Sequence, residues 1–126
     1  SRVLEETFLR ANLPYKLVGA QRFYGRREVK DVIAYLRLVH NPDDEISLTR
    51  VINVPTRGIG DKSVVTLRTQ ALKLKLTMGG LLLDLGRGSA SSHKDLFSGR
   101  TLATLSTFGN HLANWRALRD FLSGLT

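Results

Sequence analysis

Cysteine is absent from all 126 residues. That excludes a disulfide framework and any thiolate metal site. Long apolar runs are missing as well. Leu81-Leu82-Leu83 is cut by Asp84, far short of the roughly 20 residues that a membrane-spanning helix needs. No basic-then-apolar segment of the secretory type opens the sequence, and a cytosolic setting is expected. Histidine is scarce: His40, His93 and His111 are scattered without metal-ligand spacing. Asp43-Asp44-Glu45 lacks the ligand pattern of a calcium loop and reads as a helix start. No serine has a His/Asp arrangement around it, and no Gly-x-x-x-x-Gly-Lys-Ser/Thr phosphate loop occurs. No catalytic residue, metal site or cofactor site is therefore expected in this chain, and it cannot hydrolyse ATP alone.

Acid is the other shortage. Eleven Asp+Glu stand against nineteen Lys+Arg, a formal charge of +8 with a pI near 10.5. Such a field attracts polyanions and raises their encounter rate, which makes nucleic acid the leading partner class. The bland alternative is a basic surface that only aids solubility. The distribution favours a face: residues 1–76 hold 14 of the 19 basic residues. Residues 22–30 contain Arg22, Arg26, Arg27 and Lys30 against Glu28 alone, and residues 62–75 contain Lys62, Arg68, Lys73 and Lys75 with no acid.

Hydrophobic spacing is mostly helical. Residues 1–11 read as a helix end with Val3, Leu4, Phe8 and Leu9 on one stripe, stopped by Pro14. Residues 15–18 alternate and read as a short strand. A strand without a partner in this chain assigns residues 1–20 to a neighbouring domain. Residues 27–40 form a strong helix, with Val29, Val32, Ile33, Leu36 and Val39 inward and Lys30, Asp31 and Arg37 in water. Residues 41–44 are a stop, a turn and a cap. A second helix is expected over 46–54, ended by Pro55. A third, capped by Asp61, runs to about 76 on Val64, Val65, Leu67, Leu72 and Leu76. Residues 78–85 form a short helix weakened by Gly79 and Gly80, residues 86–92 a flexible connection, and residues 97–125 one long helix.

The motif with most chemistry is Pro55-Thr56-Arg57-Gly58-Ile59-Gly60-Asp61-Lys62-Ser63, between two of these helices. Glycines at 58 and 60 permit backbone angles that other residues avoid and let a phosphate approach main-chain N–H groups. The helix that follows aims its free N–H groups and partial positive charge at the same place. Ile59 is expected to plug into the core, and Arg57 and Lys62 to add full charges. Two helices joined in this way form a helix-hairpin-helix arrangement that holds a DNA backbone without reading sequence. The plain alternative is a tight turn between packed helices. A second cluster, residues 22–31, interleaves Phe23 and Tyr24 with cations. It could hold bases and phosphates, but closing the core at a domain junction is the simpler role. Glu28 and Asp31 read as ion-pairing groups.

In order and spacing these pieces resemble the UvrD/PcrA/Rep-like superfamily-one DNA helicases. The resemblance rests on Ser1-Arg2 with Glu5-Glu6, Pro14-Tyr15, Phe23 to Asp31 as Phe-x-x-Arg-x-Glu-Val-Lys-Asp, Ala34-Tyr35-Leu36-Arg37, Asn41-Pro42, Arg50-x-x-Asn53-x-Pro55 and Arg57-Gly58-Ile59-Gly60. Gly25 and Ala20 depart from the family pattern. The resemblance covers roughly the first half of the chain. It implies a mainly α fold. Residues 1–20 would be the end of a segment of the second RecA-like motor domain (2A), and residues 21–126 the first part of the helical accessory subdomain (2B). It implies that Arg57, Gly58, Ile59, Gly60, Lys62 and Ser63 touch the backbone of duplex DNA at the fork. It implies a junction or hinge role for Phe23, Arg26, Glu28, Lys30 and Asp31. The parent would be an ATP-dependent 3′-to-5′ helicase, bacterial, cytoplasmic and nucleoid-associated, using ATP and Mg²⁺ held elsewhere. Two other readings are a free-standing helix-hairpin-helix DNA-binding module and a subdomain that docks protein partners or autoregulates the motor.

Overall fold

A computed structural model describes residues 26–125. The expected short strand at 15–18, the helix end at 1–11 and Phe23 lie outside these residues. Five α-helices follow one another: α1 (Arg26–His40), α2 (Glu45–Val51), α3 (Asp61–Leu74), α4 (Met78–Leu85) and α5 (Gly99–Ser123). The mainly α expectation holds, and no strand occurs among the described residues.

The buried face of α1 differs from the one that periodicity suggests. Asp31, Ala34, Tyr35 and Leu38 face inward, whereas Ile33 is 42% and Leu36 67% exposed. Apolar residues lie on both sides of this helix, so spacing alone selects no face. Asp31 can be buried because the Arg50 guanidinium donates to its carboxylate at 2.8 Å, which offsets the desolvation of the charge.

Asp44 caps α2 by accepting from the Ser47 N–H and Oγ, at 3.0 and 2.9 Å. The helix ends at Val51, earlier than the proline alone implies. Arg57 takes up the carbonyls at its end, as described below. Gly60, not Asp61, is the N-cap of α3. That helix buries Leu67 and Ala71 and leaves Val65 and Leu72 exposed. It stops where Lys75 enters the left-handed region, φ 58° and ψ 37°. Thr77 Oγ1 then accepts from the Gly80 N–H to start α4, and donates to Asp43 at 2.6 Å.

Residues 86–98 are a structured connection rather than a flexible one. Two short 3-10 turns, Gly88–Ala90 and Lys94–Leu96, lie within it. The Asp84 carboxylate accepts from Ser91 Oγ at 2.5 Å and from the N–H groups of Ser92 and His93 at 3.3 and 3.2 Å. Burial of that carboxyl pushes its pKa up, but these three hydrogen bonds together outweigh burial and hold it below the ordinary value.

The core is closed by α4 against α5 and by α1 against both α2 and α5. Leu105, Phe108, Leu112 and Trp115 step by three and four along α5 and are all buried. Tyr35 and Phe108 meet Trp115 edge to face at 5.6 and 5.8 Å, a geometry that adds about 0.5–1.5 kcal/mol per pair beyond area burial. α5 runs unbroken through Gly109, where a Cβ would sit 1.9 Å from the Leu82 carbonyl oxygen. The glycine that weakens the helix in isolation is what lets α4 come this close. Arg116 and Arg119 donate to the Val39 and His40 carbonyls at 2.6 and 3.2 Å, closing the C-terminus of α1.

Candidate nucleic-acid interface

The connection from α2 to α3 is built by side chains far apart in sequence. Asn53 Oδ1 accepts from the N–H groups of Arg57 and Ile59, at 2.7 and 3.2 Å, and so folds the chain back on itself. Ile59 is 1% exposed and anchors the turn in the core. The Val54–Pro55 peptide is cis. Gly58 has φ +79°, a region that costs an L-residue roughly 1–2 kcal/mol.

Gly60 differs from the expectation. Its backbone is extended, φ −83° and ψ −179°, which any residue adopts. A Cβ placed there meets nothing within 4 Å. Conformation therefore does not require glycine at 60. What glycine leaves there is open space over the start of α3. No side chain caps this helix, and its first-turn N–H groups, those of Asp61, Lys62 and Ser63, have no intrahelical acceptor. Asp61 and Lys62 are exposed and Ser63 is half-buried. Asp61 stabilises the positive helix end but brings a negative charge to it.

Arg57 also departs from its expected role. Its guanidinium turns inward and donates to the carbonyls of Val51, Ile52 and Val54, at 2.9, 3.1 and 3.2 Å, and to the Tyr35 hydroxyl at 2.6 Å. It lies 4.9 Å from the Phe108 ring centroid. These bonds satisfy the end of α2, and the cation is committed to the fold rather than offered to a phosphate. Tyr35 donates to the Val54 carbonyl. Burial raises the phenol pKa above 10.0, and the neighbouring Arg57 pulls it back in part.

Of the expected junction residues, Arg26 and Lys30 are exposed and Glu28 is half-buried. Asp31 serves the frame through Arg50. That frame explains three motif fragments together: Asp31 with Arg50, Tyr35 with Arg57, and Asn53 with the turn. Their roles could not be read from the sequence, although their order within the motifs marks them.

One side chain had no sequence signal at all. Arg100, in the first turn of α5, brings its guanidinium against Gly58: a Cβ at that glycine would lie 2.9 Å from Nη2. A cleft of about 350 Å³ lies beside the turn, lined by Arg57, Ala103, Thr104, Thr107 and His111. His111 stacks on Trp115 at 5.9 Å, and its Nδ1 is buried without a hydrogen-bond partner. Burial, and secondly Arg57, hold its pKa below 6.5.

Residues 1–99 match the family of the UvrD-like helicase C-terminal domain. The chain is 52% identical over 84 residues to the ATP-dependent DNA helicase PcrA of Staphylococcus epidermidis RP62A, an alignment covering 67% of this chain and 12% of that protein. It is 53% identical over 78 residues to the ATP-dependent DNA helicase PcrA of Staphylococcus aureus Mu50, covering 62% and 11%. The chain thus spans only about an eighth of the length of the curated relatives it matches.

Proposed function

The chain belongs to the UvrD-like helicase C-terminal domain family, and from that membership we propose that it is a piece of an ATP-dependent DNA helicase whose part here grips the backbone of duplex DNA without reading its sequence. On this reading, residues 1–20 end a segment of the 2A motor domain and residues 21–126 open the 2B accessory subdomain. Residues 23–31 join the two, and the whole protein moves 3′ to 5′ on DNA in repair or replication within a bacterial cytoplasm. ATP and Mg²⁺ fall to other parts of that protein. The chain has no phosphate loop, and among the described residues no three His, Asp or Glu side chains gather as metal ligands. No chemical step is assigned to the described residues.

The observation that carries the duplex reading is the uncapped start of α3 beneath open space at Gly60. Amides there face outward, Ile59 fixes their position, and Lys62 is exposed in the same first turn. A phosphodiester accepts such N–H groups and favours the positive helix end, and neither interaction depends on base identity.

The test is duplex binding over a salt series with Gly60→Asp beside the parent chain. An aspartate N-cap supplies its own carboxylate to the same amides and is at least as good a cap as glycine. The expected result is steep, sequence-indifferent salt dependence in the parent, and in the variant an unchanged or raised melting temperature with binding at least about tenfold weaker, because a fixed carboxylate then competes for the phosphate position. Unchanged binding by Gly60→Asp would turn the role of this piece toward protein docking or autoregulation.

A further inference from the structure

At the turn, the full charges that remain available nearly cancel. Arg57 is committed to the carbonyls of residues 51, 52 and 54. That leaves Lys62 against Asp61, both exposed and adjacent on α3. The helix end itself contributes only about half a charge. A phosphate held there would lack a full counter-charge unless one came from elsewhere in the fold.

Arg100 is placed to supply it. It is exposed, and among the described residues it has neither a hydrogen bond nor an ion pair. Its guanidinium already lies over Gly58. It belongs to the first turn of α5, which has no acidic residue and whose N-cap, Ser98, makes no side-chain capping bond. The cleft further along the same helix is lined by Arg57, Ala103, Thr104, Thr107 and His111, with no carboxylate to repel an approaching strand. We propose that Arg100 is a further phosphate-binding residue, closing over the strand held at the Gly58–Gly60 turn. This rests on the duplex-gripping reading above. It assigns to α5, beyond the motif-bearing half of the chain, a direct part in the same interface. A guanidinium suits the position because its planar fork can bond two phosphate oxygens at once.

The experiment compares the 126-residue chain with Arg100→Gln and Arg100→Lys, using a fluorescent random-sequence duplex from low to high salt, with melting temperatures taken alongside. Gln is expected to flatten the slope of log affinity against log salt by about 0.9, the value for one phosphate no longer neutralised, and to weaken binding about threefold at moderate salt. Lys is expected to keep the slope while losing part of the affinity. Melting temperatures should not move, since Arg100 bonds to nothing that would be left unpaired. If the parent binds steeply and Gly60→Asp weakens it, but Arg100→Gln changes neither slope nor affinity, the Arg100 assignment is overturned and the turn reading survives. If the parent does not bind duplex, or Gly60→Asp leaves binding unchanged, the turn reading fails and the Arg100 assignment fails with it.

Discussion

Two connections in this molecule join helices through glycine and small polar residues, and they treat their backbone amides in opposite ways. In residues 86–98 an internal carboxylate, Asp84, accepts from Ser91, Ser92 and His93. An anion of the protein's own already occupies that place. In residues 52–60 the internal acceptor is the Asn53 amide oxygen, which takes only the N–H groups of Arg57 and Ile59. The N–H groups beyond it, at the start of α3, are left to whatever comes from outside. A glycine-bearing connection is therefore sealed in one case and open in the other. The difference lies in whether a charged acceptor is folded in beneath the amides.

Breaking the frame under the open turn should have the largest effect. Arg57→Met keeps the apolar stem but leaves the Ile52 carbonyl without a donor, while the Val51 carbonyl keeps the Val54 N–H and the Val54 carbonyl keeps the Tyr35 hydroxyl. One unsatisfied, partly buried acceptor costs about 1–3 kcal/mol, and each lost bond to the other two carbonyls about 0.5–1.5 kcal/mol before relaxation, so a total loss of about 2–3 kcal/mol is expected in urea unfolding. If stability held while DNA binding fell, Arg57 would be a ligand group after all.

Asp84→Ala opens the sealed connection. It should cost about 1–2 kcal/mol, because Ser91 Oγ and the Ser92 N–H lose their acceptor while the His93 N–H keeps only Ser91 Oγ. Faster amide exchange at residues 91–93 than at 61–63 of the parent chain would mark the loss locally. No such change would mean that water serves these amides equally well.

The glycine pair separates conformation from space. Gly58→Ala should cost roughly 1–2 kcal/mol because φ is positive there. The Arg100 side chain can swing away from the new methyl. Gly60→Ala should cost less, about 0.5 kcal/mol, because alanine is the poorer N-cap but no backbone strain arises, yet weaken duplex binding by crowding the amides. Equal stability costs at the two positions would refute the distinction.

The smallest effect is a pH dependence. His111 has its pKa depressed by burial and by Arg57, so the folded state prefers the neutral ring. Its contribution is intact above 6.5 and is lost as pH falls below that value toward the folded pKa. Asp84 is also depressed, from 3.8, so its contribution is present above 3.8 and fades only at lower pH. Melting temperature should therefore decline as pH falls below 6.5, and His111→Gln should flatten that decline while leaving the more acidic limb in place. An unaltered profile would exclude His111 as its source.

Much of the local structure was legible because it depends on neighbours in sequence. Asp44 as a cap, the start of α4 at Met78 and the Leu105–Phe108–Leu112–Trp115 stripe are all matters of spacing within one turn or helix. Legibility failed where the deciding partner is distant. Asp31 read as a solvent-facing charge because Arg50, nineteen residues on, is invisible to helical periodicity. Gly109 gives no sign in the sequence of its role, because the Leu82 carbonyl that it admits lies in another helix. Residues 86–92 read as flexible because serines and glycines carry no sign of a carboxylate waiting beneath them.

Sequence alone determined that the chain is basic, mainly helical and built around a Gly-Ile-Gly turn at a helix start, and the ordered motifs pointed to the family. These follow from composition, periodicity and short-range backbone rules, which act within a few residues. Only the tertiary structure decided which cation serves the fold and which remains free. Arg57 and Arg100 are the same residue type beside the same turn. One meets a helix end with open carbonyls and an aromatic cluster, and is committed there. The other meets a glycine with no side chain, and its charge stays in solvent. Burial and the supply of hydrogen-bond acceptors separate the two, and both are set by packing between helices rather than by the order of residues.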